Sequence, residues 1–425
     1  MARKKLVMVG NGMAGVRALE ELLRLAPDRY DITVFGAEPC GHYNRIMLSP
    51  VLANEMDIDE IFTHHPRWYE EQGITLYTSK VVTKIDRQRQ CVIADDGTEA
   101  HYDRLLLALG SLPRVLPISG NTLDGVTTYR EVRDVHHIMN AARKHRRAVV
   151  IGGGLLGLEA AYGLSRHGME VTVVHLNECV LDRQLDGKAS RLLQQYLKHQ
   201  GIEFLLSRQV AALEGRDRVE SVRFDSGEQI SADLVVMAAG IHPRIALAKE
   251  AGLHCKQGIV VDDCLQTFDP KIYAVGECVQ HRGQVYGLVA PLYEQARVCA
   301  NHLAEIGISR YEGSVLSTSL KVTGISLFSA GDFKGDESTR EIVFFDVADS
   351  VYKKLVVKDD RLIGALLYGE TNDSRWYLDL IRSSRSIAAI RENMVFGRVF
   401  CESDEVSFQN MDTDPNHDSA QTSWQ

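Results

Sequence analysis

Two stretches decide how this chain is read: Gly10-Asn11-Gly12-Met13-Ala14-Gly15 and Gly152-Gly153-Gly154-Leu155-Leu156-Gly157. Each follows a short apolar run, Lys5–Val9 in the first case and Ala148–Ile151 in the second. Each then leads into a helical pattern, carried by Leu19, Leu22 and Leu23 or by Leu158, Ala161, Tyr162 and Leu164. A lone G-x-G-x-x-G is weak, because glycines recur in loops; a strand before it and a helix after it make it specific. Each glycine has a task. The first permits a tight turn, the second lets the backbone approach a pyrophosphate, and the third allows close helix–strand packing. The N–H groups and dipole at the helix start then favour an anion by roughly 0.3–1 kcal/mol, more when partly buried.

The two copies run on in parallel. A second strand is expected at Asp31–Phe35 in one and at Val171–His175 in the other. A hairpin follows, Val81–Asp86 with Cys91–Ala94 around Asp95-Asp96-Gly97, matched later by a turn near Ser226-Gly227-Glu228. Each copy closes on an Asp…Gly strand, from Asp103 to Gly110 and from Asp233 to Gly240. Such a repeat signifies two nucleotide-binding domains. The expected architecture is α/β, with two Rossmann-like dinucleotide-binding domains and a small α+β C-terminal domain. One nucleotide domain takes residues 1–115 and 242–312, the other 116–241, and the small domain 313–402; the polar stretch 403–425 reads as disordered. Within the small domain, Lys321–Phe328, Arg340–Asp346, Val351–Lys358 and Arg361–Tyr368 read as antiparallel strands, before a helix from about Ser374 to Ser384.

Composition narrows the function. A chain of 425 residues with 45% hydrophobic and 25% charged residues is an ordinary soluble protein of two or three domains. Its net charge of −9 argues against nucleic acid, which needs a basic face. The basic start Met1–Lys5 is followed by only Leu6–Val9 before Gly10, so it does not read as a signal peptide. No apolar run approaches the roughly 20 residues of a membrane span, and a cytoplasmic location is expected. The cysteines include no Cys-x-x-Cys pair, and the adjacent pairs His64-His65 and His136-His137 point apart on a strand, so no metal is expected. Arg143–Arg147 reads as a solvated helix end, or alternatively as a dock for an acidic electron carrier.

The chain resembles a pyridine-nucleotide–flavin oxidoreductase of the two-dinucleotide-domain kind. Within that group it is most similar to the N-terminal flavoprotein part of the large subunit of NAD(P)H-dependent nitrite reductases. The general signals are the two glycine stretches and Ile272-Tyr273-Ala274-Val275-Gly276-Glu277-Cys278. Narrower ones are Phe35–Pro39, Tyr43-Asn44-Arg45 with Leu48-Ser49-Pro50, Arg183–Asp186, Lys321–Gly324 and Phe328–Phe333. The resemblance implies FAD on the first unit, at Gly10, Gly12, Met13, Ala14 and Gly15. Glu38 would bond the ribose hydroxyls, although it also fits a surface turn. Gly276 and Glu277 would meet the phosphate and ribityl chain, with Arg45, Val82, Gly110, Arg130 and Val289 at other FAD-contacting positions; Arg130 also fits a surface helix start. The second unit, Gly152, Gly154, Leu155, Gly157 and Gly240, would hold the nicotinamide dinucleotide. Glu159 would lie toward the nicotinamide. The family's Lys partner is Pro50 here, so Arg45 is expected to pair with Glu159 as the catalytic pair; Glu159 also fits a helix surface. His175 occupies the specificity position, and with Glu178 nearby and no Arg before Arg183 the reading leans to NADH over NADPH.

The implied activity is NAD(P)H oxidation: a hydride passes to the flavin, and electrons leave singly, with stacking and orientation sufficing for the first step. The family's nitrite reductases continue past this point into iron–sulfur and sirohaem domains. The expected outlet is therefore a separate iron–sulfur, sirohaem or molybdenum protein in nitrate or nitrite assimilation, with no nitrite reduction by the chain alone. The small domain implies a homodimer. Two alternatives stand beside this. Cys40-Gly41 superficially resembles the active cysteine of single-cysteine NAD(P)H oxidases, peroxidases and CoA-disulfide reductases, and a non-enzymatic flavoprotein could sense NAD(H).

Overall fold

Leu6, Val7, Met8 and Val9 are all buried in the first strand, as a parallel strand covered on both faces requires. The computed structural model describes residues 3–322 and 324–401. Of the elements that position the site, the first copy runs β1 (Lys4–Val9), α1 (Met13–Leu25), β2 (Tyr30–Phe35), α2 (Leu48–Leu52) and β3 (Thr75–Tyr77). A meander of β4 (Val82–Asp86), β5 (Cys91–Ala94) and β6 (Glu99–His101) leads to β7 (Arg104–Leu107) and β8 (Ser111–Pro113). The second copy follows β9 (Val126–Thr128) and α3 (Val132–Ala142). It runs β10 (Arg147–Ile151), α4 (Leu155–Arg166), β11 (Glu170–Val174) and β12 (Ile202–Leu205). Its meander is β13 (Val210–Glu214), β14 (Ser221–Phe224) and β15 (Gln229–Ser231), followed by β16 (Leu234–Met237) and β17 (Ile241–Pro243). Later come β18 (Ile272–Ala274) and α5 (Val289–Leu303).

The sheets repeat as well. One has the order β18-β7-β1-β2-β3, the other β9-β16-β10-β11-β12, and all neighbours are parallel. The Asp…Gly strands explain themselves. Lys5 N–H donates to Asp103 Oδ2 at 2.8 Å, and Arg147 N–H donates to Asp233 Oδ2 at 2.9 Å. In return, Asp103 N–H donates to the Lys5 carbonyl and Asp233 N–H to the Arg147 carbonyl. Each Asp therefore sets the register of the closing strand against the first strand of its copy.

The structure changes several expectations. The two hairpins are three-stranded meanders, and Asp95-Asp96-Gly97 joins β5 to β6 rather than β4 to β5. The nucleotide-binding halves belong to one compact unit, the chain to Asp182 with Ser190–Leu316. They are tied in two places. β8 pairs antiparallel with β17, and α2 packs on α4 so closely that a Cβ on Gly163 would lie 2.5 Å from Leu52 Cγ.

A second unit comprises Arg183–Ala189 and the chain from Ser317. Arg183–Ala189 joins it because Tyr352 donates a hydroxyl hydrogen bond to Asp186 Oδ2 at 2.7 Å and Lys188 Nζ lies 3.7 Å from the Phe345 ring centre. Its antiparallel sheet has the order β19-β20-β23-β22-β21. These strands are β19 (Ser317–Val322), β20 (Ile325–Gly331), β21 (Arg340–Asp346), β22 (Val351–Lys358) and β23 (Arg361–Tyr368), with α6 (Ser374–Ser383) packed on β23. The expected single strand Lys321–Phe328 instead spans the turn between β19 and β20, which passes through Gly324. Residues 403–425 lie outside the described residues. Among the described residues, no helix is long and apolar enough to cross a membrane.

Arg147, bonded to Asp233 through its side chain and backbone, holds the Asp233 carboxyl well below the usual carboxylate range. Asp233→Ala should therefore cost about 1.5–3 kcal/mol at pH 7, the usual range for hydrogen bonds to a charged group. A lowered folded pKa stabilises above the unfolded value of about 3.9 and is lost below it. Urea unfolding should show the gap between the two proteins steady near neutral pH and narrowing below about pH 4. A gap that widens on acidification would contradict this account of Asp233.

Candidate functional site

The first and third glycines of each loop are required by the protein itself. Gly10 has φ +105°, and a Cβ there would lie 2.1 Å from the Ala108 carbonyl oxygen at the end of β7. Gly152, at φ +125°, meets the Ala238 carbonyl oxygen at 2.3 Å in the same way. A Cβ on Gly15 would sit 2.8 Å from the Ala108 Cβ, and one on Gly157 would sit 1.9 Å from the Gly152 carbonyl. The middle glycines differ: a Cβ on Gly12 or Gly154 would meet nothing within 4 Å. Nothing in the polypeptide demands a glycine there. Both are N-caps without a side-chain cap bond, so the first-turn N–H groups of α1 and α4 face a cradle that a side chain would fill. Asn11 Nδ2, in the first loop, is a buried donor with no partner. These features fit a bound dinucleotide pyrophosphate at each loop.

Beside the first loop, the expected residues Glu38, Arg45, Arg130 and Glu277 form one polar chain. Arg45 donates from Nη2 to Glu38 Oε1 at 2.8 Å and from Nη1 to the Arg130 carbonyl at 2.7 Å. Tyr43 donates to the other Glu38 oxygen at 2.7 Å. Arg130 pairs with Glu277 Oε2, which also accepts from the Ser111 hydroxyl at 2.6 Å. Gly110 lies beside the Arg130 guanidinium, 3.9 Å from a Cβ built there. Gly276 comes against the first turn of α1, its Cβ position 3.0 Å from the Ala14 Cβ, next to Met13. Val82 is buried in the core under this half and Val289 opens α5. Tyr43, quoted in a motif but given no role, and Ser111, next to Gly110, were not assigned to the site from sequence.

Glu159 and Arg45 do not meet, which corrects the expected pair. Arg45 is already bonded to Glu38 and the Arg130 carbonyl. One turn further along, Ser49 of α2 faces α4 and donates to Glu159 Oε2 at 2.5 Å, while Tyr129 donates to the Ser49 oxygen at 3.0 Å. Burial raises the Glu159 carboxyl above its ordinary pKa, and the Ser49 bond only partly opposes this.

His175 lies against the second loop. Its Nδ1 accepts from Gly153 N–H at 3.1 Å, and the ring packs on that glycine, whose Cβ position is 3.0 Å from the imidazole Cγ. Burial lowers the His175 pKa. The ring's Nδ1 braces the loop, while its Nε2 is a buried nitrogen without a protein partner. Arg208, far along the sequence, reaches this place because β12 lies beside β11, and its N–H donates to the His175 carbonyl at 3.1 Å. The loop after β11 therefore has an arginine neighbour that counting along the chain could not find. Leu155 and Gly240 lie where expected, at the start of α4 and between β16 and β17.

Two glycine loops shaped for pyrophosphate, carried on matching parallel sheets, define a protein of the two-dinucleotide flavoprotein class. The chain belongs to the pyridine nucleotide-disulphide oxidoreductase family, whose model matches residues 4–301, and residues 317–385 match the rubredoxin NAD+ reductase C-terminal domain. It is 50% identical over 388 residues to a nitrite reductase [NAD(P)H] of Bacillus subtilis (strain 168), covering 91% of this chain and 48% of that protein. It is 44% identical over 395 residues to the assimilatory nitrate reductase electron transfer subunit of the same organism, covering 93% and 51%. The chain thus spans about half the length of the curated relatives it matches. Among solved structures, it is similar to a covalent putidaredoxin reductase–putidaredoxin complex, with TM-score 0.82, 28% identity, and 90% and 94% of the two chains covered. NADH:rubredoxin oxidoreductase from Clostridium acetobutylicum gives TM-score 0.76, 26% identity, and 92% and 97% coverage. The cofactors of this fold are FAD and NAD(P)H.

Burial, followed by the Glu38 carboxylate, pushes the Cys40 thiol up to about 11, whereas a lowered pKa favours an attacking cysteine. Cys40→Ser should keep nearly all NAD(P)H-dependent ferricyanide reduction. Lost turnover with flavin content intact would restore the single-cysteine reading.

Proposed function

We propose that this protein takes electrons from NAD(P)H, passes them through FAD and delivers them to a separate redox protein in nitrate or nitrite assimilation. The observation that carries this is the pair of loops whose middle glycines, Gly12 and Gly154, have no structural reason to be glycine. FAD is assigned to the first loop. Glu38 supplies a carboxylate for ribose hydroxyls at the end of β2, and the Arg130–Glu277–Ser111 cluster supplies charge and hydroxyl groups along the path from α1 to Gly276. NAD(P)H is assigned to the second loop, with Glu159 and its Ser49 donor beyond it. By this reading residues 1–115 and 242–312 serve the flavin and 116–241 the coenzyme.

When bound, FAD supplies the step from two-electron to one-electron chemistry. The polypeptide supplies orientation: the glycine cradles fix the two pyrophosphates, and the β8–β17 pairing fixes one cradle relative to the other. The similarity to an assimilatory nitrate reductase electron transfer subunit, to putidaredoxin reductase and to NADH:rubredoxin oxidoreductase supports a protein acceptor. An iron–sulfur, sirohaem or molybdenum protein fits that role. A cytoplasmic location agrees with cysteines held as thiols rather than disulfides.

Gly12→Val tests the flavin assignment, because a Cβ there meets no protein atom within 4 Å. The variant should keep wild-type far-ultraviolet circular dichroism yet purify largely without FAD; full flavin content would refute the assignment of the first loop. Turnover is the second test. The unmodified protein should reduce ferricyanide continuously with NAD(P)H, whereas binding of the coenzyme without turnover would leave the sensor reading in its place.

A further inference from the structure

The two halves match residue by residue where each would hold a ribose. β3 and β12 both run out into a serine with φ +53°, Ser79 and Ser207. Ser79 N–H donates to the Glu38 carbonyl at 3.1 Å, and Ser207 N–H donates to the Asn177 carbonyl at 3.3 Å. One residue on, Lys80 N–H donates to the Gly36 carbonyl at 3.0 Å and Arg208 N–H to the His175 carbonyl at 3.1 Å. Then Asp95 N–H donates to the Val81 carbonyl and Asp225 N–H to the Gln209 carbonyl. Even the cations behave alike: Lys80 pairs with Asp96 and Arg208 with Glu228, each on the last turn of its meander. The correspondence is therefore fixed by hydrogen bonds. Gly36 answers to His175, Glu38 to Asn177, and Lys80 to Arg208.

The chemistry changes within that conserved frame. The first half places a carboxylate, Glu38, where an acceptor for ribose hydroxyls is wanted. The second half places a neutral amide there, Asn177, whose Nδ2 donates to Asp182 at 2.8 Å. His175 accepts from Gly153 N–H through Nδ1, its buried Nε2 has no protein partner, and burial lowers its pKa, so it brings no firm positive charge. Arg208 brings a permanent cation to this end of the site. Its partner Glu228 is 3.4 Å away, and the two side chains are 40% and 51% exposed, so the pair is weak. Glu178 nearby is also exposed, and solvent screens its repulsion. A loosely held planar guanidinium, one residue beyond the bond from Ser207 N–H to the Asn177 carbonyl, suits a phosphate better than a diol.

We propose that Arg208 is the specificity-determining residue of the coenzyme site and takes the 2′-phosphate of NADPH. The protein then binds NADPH at least as well as NADH, reversing the expectation drawn from the residues after β11 alone. This inference rests on the assignment of the second loop to NAD(P)H.

The test titrates the FAD-loaded protein with adenosine 2′,5′-bisphosphate and with 5′-AMP by calorimetry. The bisphosphate should bind on the order of tenfold tighter, as a charge-assisted contact provides. Arg208→Ala should abolish that difference and Arg208→Lys should retain part of it. Asn177→Glu, which copies the first half, should favour AMP. Glu228→Gln, a mild surface change that releases Arg208, should widen the difference and keeps the test open if the alanine variant does not fold. Equal binding of the two nucleotides by the unmodified protein, or a difference that survives Arg208→Ala, would overturn the proposal and leave the coenzyme site standing. Failure of the unmodified protein to bind either nucleotide would instead overturn the assignment of the second loop, and this proposal with it.

Discussion

The structure depends on one close approach made twice: the turn from strand to helix passes against the carbonyl that ends the neighbouring strand. Gly10 lies on the Ala108 carbonyl and Gly152 on the Ala238 carbonyl, at separations that exclude any Cβ. Side chains at these points would push α1 and α4 away from their sheets. The helix starts, the bare N–H groups and the space above Gly12 and Gly154 all follow from keeping that contact. A site for a pyrophosphate is thus a by-product of how tightly a helix can be laid on a parallel sheet.

Around that constraint the second copy is rebuilt without changing its frame. Asp103 and Asp233 make the same two-way bond to the first strand of their copies, and Ser79 and Ser207 take the same backbone conformation. What varies is charge and bulk at the positions facing a ligand. The link between the halves is also physical. Arg45 bonds to the Glu38 and Arg130 cluster beside the first loop, and Ser49, on α2, bonds to Glu159 on the helix that follows the second loop.

Much of this was legible in the sequence, because glycine spacing and strand periodicity are local. The two loops, the Asp…Gly strands and three strands of the small antiparallel sheet read directly from residue type. The partners of side chains did not. Arg45 was matched to Glu159 because a lysine is absent nearby, yet a turn of 3-10 helix, Arg45–Met47, separates its direction from that of Ser49. Arg208 could not be placed beside His175 without knowing that β12 is the parallel neighbour of β11. Gly324 hid a turn inside an apolar stretch, and Asp186 joined the second unit through a tyrosine hydroxyl far along the chain. These are tertiary facts, and one-dimensional patterns carry little of them.

The exchange of bulk between loop and strand end has an evolutionary consequence. In the first half Asn11 stands against Gly36, whose Cβ position is 3.2 Å from the asparagine Cβ; in the second, His175 stands against Gly153. Large faces small in both, but the large residue has changed sides. Bulk at both places would collide, and glycine at both would leave a hole. The two positions are therefore epistatic: a substitution acceptable in one half is harmful in the other, although the backbones are nearly interchangeable. Grafting a loop between halves, or from a relative, should carry the facing strand end with it.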